Sequence, residues 1–316
     1  MNARPALVPG PRPLLALGPE EGWHARELTC AAERLGRRLV YAPYESLRGR
    51  IDGPGACVAT SSAGDLASFD AVLCRTMPAG TLEQITFRLA VLHGAFAAGV
   101  RMINPPRTLE LAIDKYATLE RVAALGYAVP QTVVVQSRKE AMEAFDCLGG
   151  DVVVKPIFGG EGRGVMRLQD RELAWYCFST LEGLGAVLYV QRFVPPGGRD
   201  TRMLVIGNDV FGIRRTNDQD FRTNVAGGGV CQAAELSDAQ LALARRIADS
   251  MSLGIGSIDL MDCHVHGSVV VEVNGVPGWK GAQGCLQVNV AETMVRYCVG
   301  AVTQPPAPAL SPCKHD

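Results

Sequence analysis

The sequence predicts an α/β protein that opens with a parallel-sheet domain and continues into lobes of mixed and antiparallel β structure. Three observations carry this. In the N-terminal third, strand-like apolar runs alternate with helical ones, the pattern of βαβ crossovers. Further on, β-branched runs such as "TVVV" and "DVVVK" flank a helical stretch, as in a covered sheet. Near the C-terminus, strand pairs surround the turn signals Gly207-Asn208 and His266-Gly267, which predict hairpins.

The elements follow in chain order. "LLALG" (14–18) reads as a buried strand, and "WHARELTCAAERLGRRL" has the apolar spacing of an amphipathic helix. "RLVYAP" and "FDAVLCRTMP" read as strands, "TLEQITFRLAVLHGAFAAGV" as a long helix ending at Gly99, and "RMINPP" as a short strand stopped by prolines. "TLELAIDKYATLERVAALG" predicts one helix capped at Gly126. Strands follow at "VPQTVVVQ", "DVVVKPIF" and "VLYVQRFV", with a helix over 138–147 and the clearest linker, "PPGGRD", at 195–200. "TRMLVIGNDVFGIRRT" predicts a hairpin, 237–252 a helix, and "SIDLMDCHVHGSVVVEVNG" a second hairpin. The expected organisation is 1–105, 106–190 and 191–303, with a loose Pro-rich tail over 304–316.

Bulk properties exclude several classes. A net charge of −1 argues against affinity built on a nucleic-acid backbone. No apolar run approaches the roughly 18 residues of a membrane span. The N-terminal stretch is rich in proline and lacks a small-residue cleavage site, which argues against a signal peptide. Ten cysteines occur without a CxxC pair, so reduced, buried thiols in a cytoplasmic protein are expected.

The chemistry concentrates in three places. In "SIDLMD" and "VVVEVNG", Glu272 and Asn274 lie two apart and share a strand face, with Asp259 placed to oppose them. Three oxygen donors suit a hard cation such as Mg²⁺; the pattern equally fits a solvated face beside a turn. His264 and His266 lack a third ligand nearby and read as turn residues. In "VVVKPIFGGEGRGV", Lys155 precedes a loop bearing Gly159, Gly160, Gly162 and Gly164, which suits close approach to phosphate or a plain glycine-rich turn. Arg202, Arg214, Arg215 and Arg222 crowd one segment with Asn224, as an anionic substrate would require, or as a charged sheet surface would show. A Rossmann dehydrogenase is excluded because "PEEGW", not GxGxxG, follows the first strand.

The order "DK", "VVVKPIFGGEGRGV", "YVQRFV", "DTRMLVIG", "IRRT", "DFRTN", "SIDL", "VEVNGVPG" resembles the ATP-grasp superfamily and, within it, the RimK-like amino-acid ligases. The match runs from about "RMINPP" to "AETMV". The resemblance implies an ATP-grasp fold with a preceding α/β domain, a central lid subdomain and a C-terminal subdomain carrying the metal site. It implies ATP as cofactor with two Mg²⁺ ions, replaceable by Mn²⁺, on Asp259, Glu272 and Asn274. By the same resemblance, Lys115 and Lys155 contact the phosphates, the 159–164 loop covers them, and Gln191, Arg192 and Phe193 hold adenine through backbone groups. Asp200 would approach the ribose. Arg202 and Arg215 would serve catalysis, and Arg214, Arg222 and Asn224 the substrate. Arg75 and Arg88 are candidates for the acceptor side, or structural residues. Two departures stand out: Arg192 where the hinge often carries Glu, and Val276 in place of the serine of "NxSPG".

The implied activity joins a carboxylate to an amine through an acyl phosphate. The expected substrates are L-glutamate and a small carboxylate acceptor such as a pterin-type cofactor. A protein or carrier-protein terminus is the alternative acceptor, and a non-catalytic nucleotide-binding module the alternative from another class. The resemblance also implies a homo-oligomer.

Overall fold

A computed structural model describes residues 11–160, 162–263 and 267–300. The chain divides into two compact units, one formed by residues up to 106 together with those from 288 onward, the other by 107–287.

The first unit begins with β1 (Leu14–Leu17), α1 (Trp23–Arg34) and β2 (Leu39–Ala42). β3 (Arg48–Gly53), β4 (Ala56–Ser61) and β5 (Gly64–Asp65) form a small antiparallel sheet that the sequence reading did not anticipate. β6 (Ala71–Cys74), α2 (Leu82–Ala97) and β7 (Met102–Ile103) complete the N-terminal run. The main sheet has the order β2-β1-β6-β7 and every pairing in it is parallel. All four residues of β1 and all four of β6 are buried, so these strands lack polar alternation, as expected of a parallel sheet covered on both faces. α1 buries Ala25, Leu28, Ala31 and Ala32, one face at helical spacing. α2 starts at a Thr81–Gln84 capping box and stops just before Gly99, whose φ of +90° ends the helix without strain.

The second unit opens with α3 (Pro106–Ile113) and α4 (Lys115–Ala124). One helix was expected here. The structure has two, because the Asp114 side chain accepts from the backbone N–H groups of Tyr116 and Ala117 and so starts a new helix. β8 (Thr132–Val135), α5 (Arg138–Cys147), β9 (Val152–Lys155), β10 (Met166–Leu168), α6 (Arg171–Gly183) and β11 (Leu188–Arg192) follow. Their strands form an antiparallel sheet of order β10-β9-β11-β8. Val152, Val154, Leu188 and Val190 pack there against Phe145 and Phe178 of the two helices.

β12 (Arg199–Ile206), β13 (Asp209–Thr216), β14 (Val230–Ala234), α7 (Asp238–Met251), β15 (Ile255–Cys263) and β16 (Gly267–Asn274) build the next layer. The expected linker is shorter than its motif: Gly197 and Gly198 make the turn with positive φ, and Arg199 and Asp200 already belong to β12. This sheet has the order β14-β13-β12-β15-β16. One of its faces places Met203, Val205, Ile258 and Val273 against Ala244, Ile247 and Met251 of α7. α8 (Lys280–Cys285) packs against β14 and ends the unit. α9 (Val290–Cys298) packs on α1 in the first unit, whereas the sequence reading carried the last lobe to 303. No described helix is long and apolar enough to cross a membrane, and the nine cysteines of the described residues are free thiols.

Candidate active site

The second face of the five-stranded sheet carries the chemistry. Asp200 pairs with Arg215 and Arg215 with Cys231; Arg202 pairs with Asp259, Asp259 with Glu272, and Ser257 with Asn274. Directly paired residues and residues two apart share a face, so these side chains form one surface opposite the α7 core. A bulge beyond Asp259 leaves Glu272 opposite that aspartate while Leu260 pairs with Val270.

Two arginines and two aspartates interlock at its centre. Arg202 forks onto Asp259, its Nε and Nη2 lying 2.8 and 2.7 Å from the two carboxylate oxygens. Arg215 forks onto Asp200 at 2.7 and 2.6 Å, and its Nη2 also reaches Asp259 Oδ2 at 2.8 Å. The Thr223 hydroxyl donates to Asp200 Oδ2. Asp200, Arg215 and Asp259 are 4%, 6% and 3% exposed, so these contacts act where water screens them little. Burial works to raise the Asp259 carboxyl, but Arg202 and Arg215 hold it well below the usual carboxylate range. Burial and the neighbouring Asp259 charge push Asp200 the other way, against Arg215 and Thr223. Burial alone would lower the Arg215 guanidinium; Asp259 and Asp200 raise it above its ordinary value. Among the described residues, neither Arg202 nor Arg215 has a hydrogen-bond partner for Nη1. Both guanidiniums are therefore fixed along one edge and retain donors on the other.

The lysines reach the same place from other elements. Lys115, the first residue of α4, stands 3.7 Å from Glu272, and its ammonium donates to the Gly159 carbonyl. Lys155, at the end of β9, donates to Gln191 Oε1 at 2.7 Å, and the Gln191 amide is anchored on the hydroxyls of Thr132 and Tyr189. Burial pulls the Lys155 ammonium down to about 8, with Lys115 adding to the effect and Glu272 and Asp259 opposing it. The glycine loop approaches Asn224: a Cβ on Gly162 would lie 2.7 Å from its Oδ1. Glu161 of that loop, and His264 and His266, lie outside the described residues.

Residues 112–298 match the RimK-like ATP-grasp domain family. The tetrahydromethanopterin:α-L-glutamate ligase of Methanosarcina acetivorans is 30% identical, over 90% of this chain and 97% of the relative. The ribosomal protein bS6–L-glutamate ligase of Escherichia fergusonii is 30% identical over 73% of this chain and 77% of its own. The chain belongs to the RimK-like ATP-grasp family. Its relatives are named as ligases, and this chain is a ligase of that class. The ATP-grasp ligase PsnB, solved with its minimal precursor, has the same fold, with a TM-score of 0.72 and 19% identity over 92% of this chain and 98% of that one. The RimK domain protein of Sphaerobacter thermophilus aligns at a TM-score of 0.66 and 24% identity, over 91% and 100% of the two chains.

Other expected residues of this ATP-grasp chain have partners of their own. Arg214 pairs across the strands with Thr201, on the opposite face from Arg215, and bridges to Asp262 at 2.9 Å. The period of two along β13 separates the adjacent arginines. Asp200, expected at a ribose, accepts from Arg215 through both oxygens and from the Thr223 hydroxyl through Oδ2. The Arg192 N–H donates to the Gln131 carbonyl and the Phe193 N–H to that of Asp151, so these two backbone donors are committed within the fold. Arg222 forks onto Asp220 and also reaches the Val165 carbonyl at 3.4 Å, beside the glycine loop. In the other unit, Arg88 is 5% exposed and donates to the Pro78 carbonyl, and Arg75 is 9% exposed with its guanidinium lowered to about 10 by burial. These burials favour the structural reading of both.

The donor set can be tested against a divalent ion. Among the described residues no group of three or more His, Cys, Asp or Glu side chains could hold a metal. A site here consists of two carboxylates and an amide, all hard oxygen donors. Glu272 and Asn274 are half-buried and share a face. Asp259 carries three guanidinium contacts on a carboxylate with about four lone-pair positions, so it retains room for one more partner. The residues fit Mg²⁺, with Glu272 and Asn274 the open members. Sequence reasoning overlooked Thr223 and the capping role of the Asp114 side chain. The Thr in "RTN" and the Asp in "DK" were visible, but only the folded partners show what they hold.

Proposed function

We propose that the protein uses ATP to join L-glutamate in amide linkage to a small acceptor bearing a carboxylate, of the pterin-cofactor type. The observation that carries this reading is the pair of edge-clamped guanidiniums, Arg202 and Arg215, on one sheet face with Glu272 and Asn274 and within reach of Lys115 and Lys155. Transfer of a phosphoryl group demands charge neutralisation and alignment rather than a protein nucleophile. Lys115 and Lys155 supply cations for the nucleotide phosphates, and the 159–164 loop its backbone donors. The free Nη1 edges of Arg202 and Arg215 are pre-aimed donors for charge that develops on the transferred group. Glu272, Asn274 and Asp259 would hold Mg²⁺, which when bound neutralises phosphate charge. The acceptor carboxylate oxygen forms a bond to the γ-phosphorus as the bond to the ADP oxygen breaks. The glutamate nitrogen then attacks the acyl carbon, phosphate leaves with its C–O bond electrons, and the nitrogen releases its proton.

The near full-length match to the Methanosarcina acetivorans ligase supports a cofactor acceptor. A protein terminus is the second reading, favoured by the equal identity to the Escherichia fergusonii ligase over a shorter span. Purified protein incubated with ATP, Mg²⁺ and glutamate should add one glutamyl mass to tetrahydromethanopterin and leave ribosomal protein bS6 unchanged. Modification of bS6 alone would reverse the order, and ADP formation with neither acceptor would remove both acceptors from consideration.

A further inference from the structure

We infer that Ser257 is a positioning residue for Asn274: its hydroxyl oxygen accepts from the Asn274 amide nitrogen and so keeps the amide oxygen turned toward the ion. This rests on the ion reading above and gives a duty to a residue which that reading leaves unused. Ser257 lies on β15 directly opposite Asn274 of β16 and two residues before Asp259, on the site face. It is 0% exposed, and among the described residues its Oγ has no hydrogen-bond partner. A buried hydroxyl left in this state costs the fold free energy that an alanine of nearly the same size would avoid. On its other side Ser257 pairs with Leu204, whose side chain offers no polar atom.

The need lies on Asn274. A side-chain amide presents an oxygen on one side and an NH₂ group of almost the same shape on the other. A hard cation takes only the oxygen, so the nitrogen has to be held away from it. The Glu272 carboxylate faces no such choice. β16 is an edge strand, so the side chains beside Asn274 on this face come from β16 itself and from β15. Glu272 and Asp259 serve the ion and the cations around it, and Ile255 is apolar. Ser257 remains. Directly paired residues hold their Cβ atoms about 5 Å apart, a span that a hydroxyl and an amide close by rotation about χ1. When the amide oxygen turns to the ion, its nitrogen turns onto Ser257 Oγ.

Calorimetric titration with ADP, with and without Mn²⁺, tests this together with thermal melting in the absence of any divalent ion. By linkage, the gain in ADP affinity that Mn²⁺ confers reads the ion site. Ser257→Ala should cut that gain by about 10-fold, as for other residues that orient a metal ligand. Its ADP affinity without Mn²⁺ should stay within about twofold of wild type, well under the factor of 10 that 1.4 kcal/mol represents. Its melting temperature without the ion should equal or exceed that of wild type, since the hydroxyl removed has no partner there. In an Asn274→Ala background no amide remains to be oriented, so Ser257→Ala should add no further loss. An undiminished Mn²⁺ gain in Ser257→Ala would overturn the inference. So would additive losses in the double variant, weakened metal-free ADP binding, or a lowered melting temperature, which would mean that the hydroxyl is already bonded in the fold. Wild-type protein whose ADP affinity gains nothing from Mn²⁺ would fail the ion reading itself and the inference with it.

Discussion

Lys155 gives the site a pH dependence whose size follows from its surroundings. Its ammonium titrates at about 8 in place of 10.5, chiefly because burial disfavours the charged form. A bound nucleotide phosphate supplies the missing counter-charge and keeps the lysine protonated, so binding above pH 8 must take up a proton. With a free-protein value of about 8, the charged fraction falls from about nine-tenths at pH 7 to about one-tenth at pH 9. The apparent dissociation constant for MgADP should therefore rise about tenfold between those two values. Calorimetry in buffers of different ionisation enthalpy reads both the affinity and the proton uptake. Lys155→Arg, which stays charged throughout, should flatten the profile and cancel any contribution from the ligand's own titration. A flat profile in the wild type, or an equal slope in the arginine variant, would refute the argument. The fold responds with the opposite sign. The folded chain releases this proton near 8 and the unfolded chain holds it to 10.5, so this group adds stability as pH rises across that window.

Three further outcomes are expected. Glu272→Ala should abolish ADP formation in the presence of acceptor and glutamate with its melting temperature unchanged, since the half-buried carboxylate's ion pair with Lys115, at 3.7 Å, is a loose one; turnover near wild type would remove it from the ion site. Arg214→Ala should leave turnover intact and change stability by less than about 1 kcal/mol in a urea titration, because its bridge to Asp262 is solvent-screened and faces away from the cluster. Gly198→Ala should cost about 1–3 kcal/mol by the same titration, since a Cβ at φ +66° would sit 2.6 Å from the Asn217 carbonyl oxygen.

What the sequence could disclose depended on range. The buried runs of β1 and β6, the hairpin at Gly207 and the shared face of Glu272 and Asn274 follow from local period and turn chemistry, and all were legible. The motif order located the family because its residues retain their spacing even where each motif alone is weak. Contacts between distant segments were hidden. No local signal brings α9 back onto α1, and β3 and β5, which flank β4, hold too few apolar residues to announce a sheet. Arg214 and Arg215 are neighbours with the same charge, and only the register of β13 against β12 tells which one meets the aspartates. Asp200 fits a family position, but its partners are decided by the packing of Thr223 and Arg215 around it.

The break between α3 and α4 bears on engineering. Because Asp114 begins the second helix, Lys115 occupies its first position, where its backbone N–H donates to the Ile157 carbonyl at 3.3 Å while its side chain reaches the Gly159 carbonyl. The helix tip and the glycine segment are thereby stitched together at two points. A chimaera that transplants the 157–165 segment from a relative to alter nucleotide choice should carry residues 114 and 115 with it, or the graft will arrive without its seam.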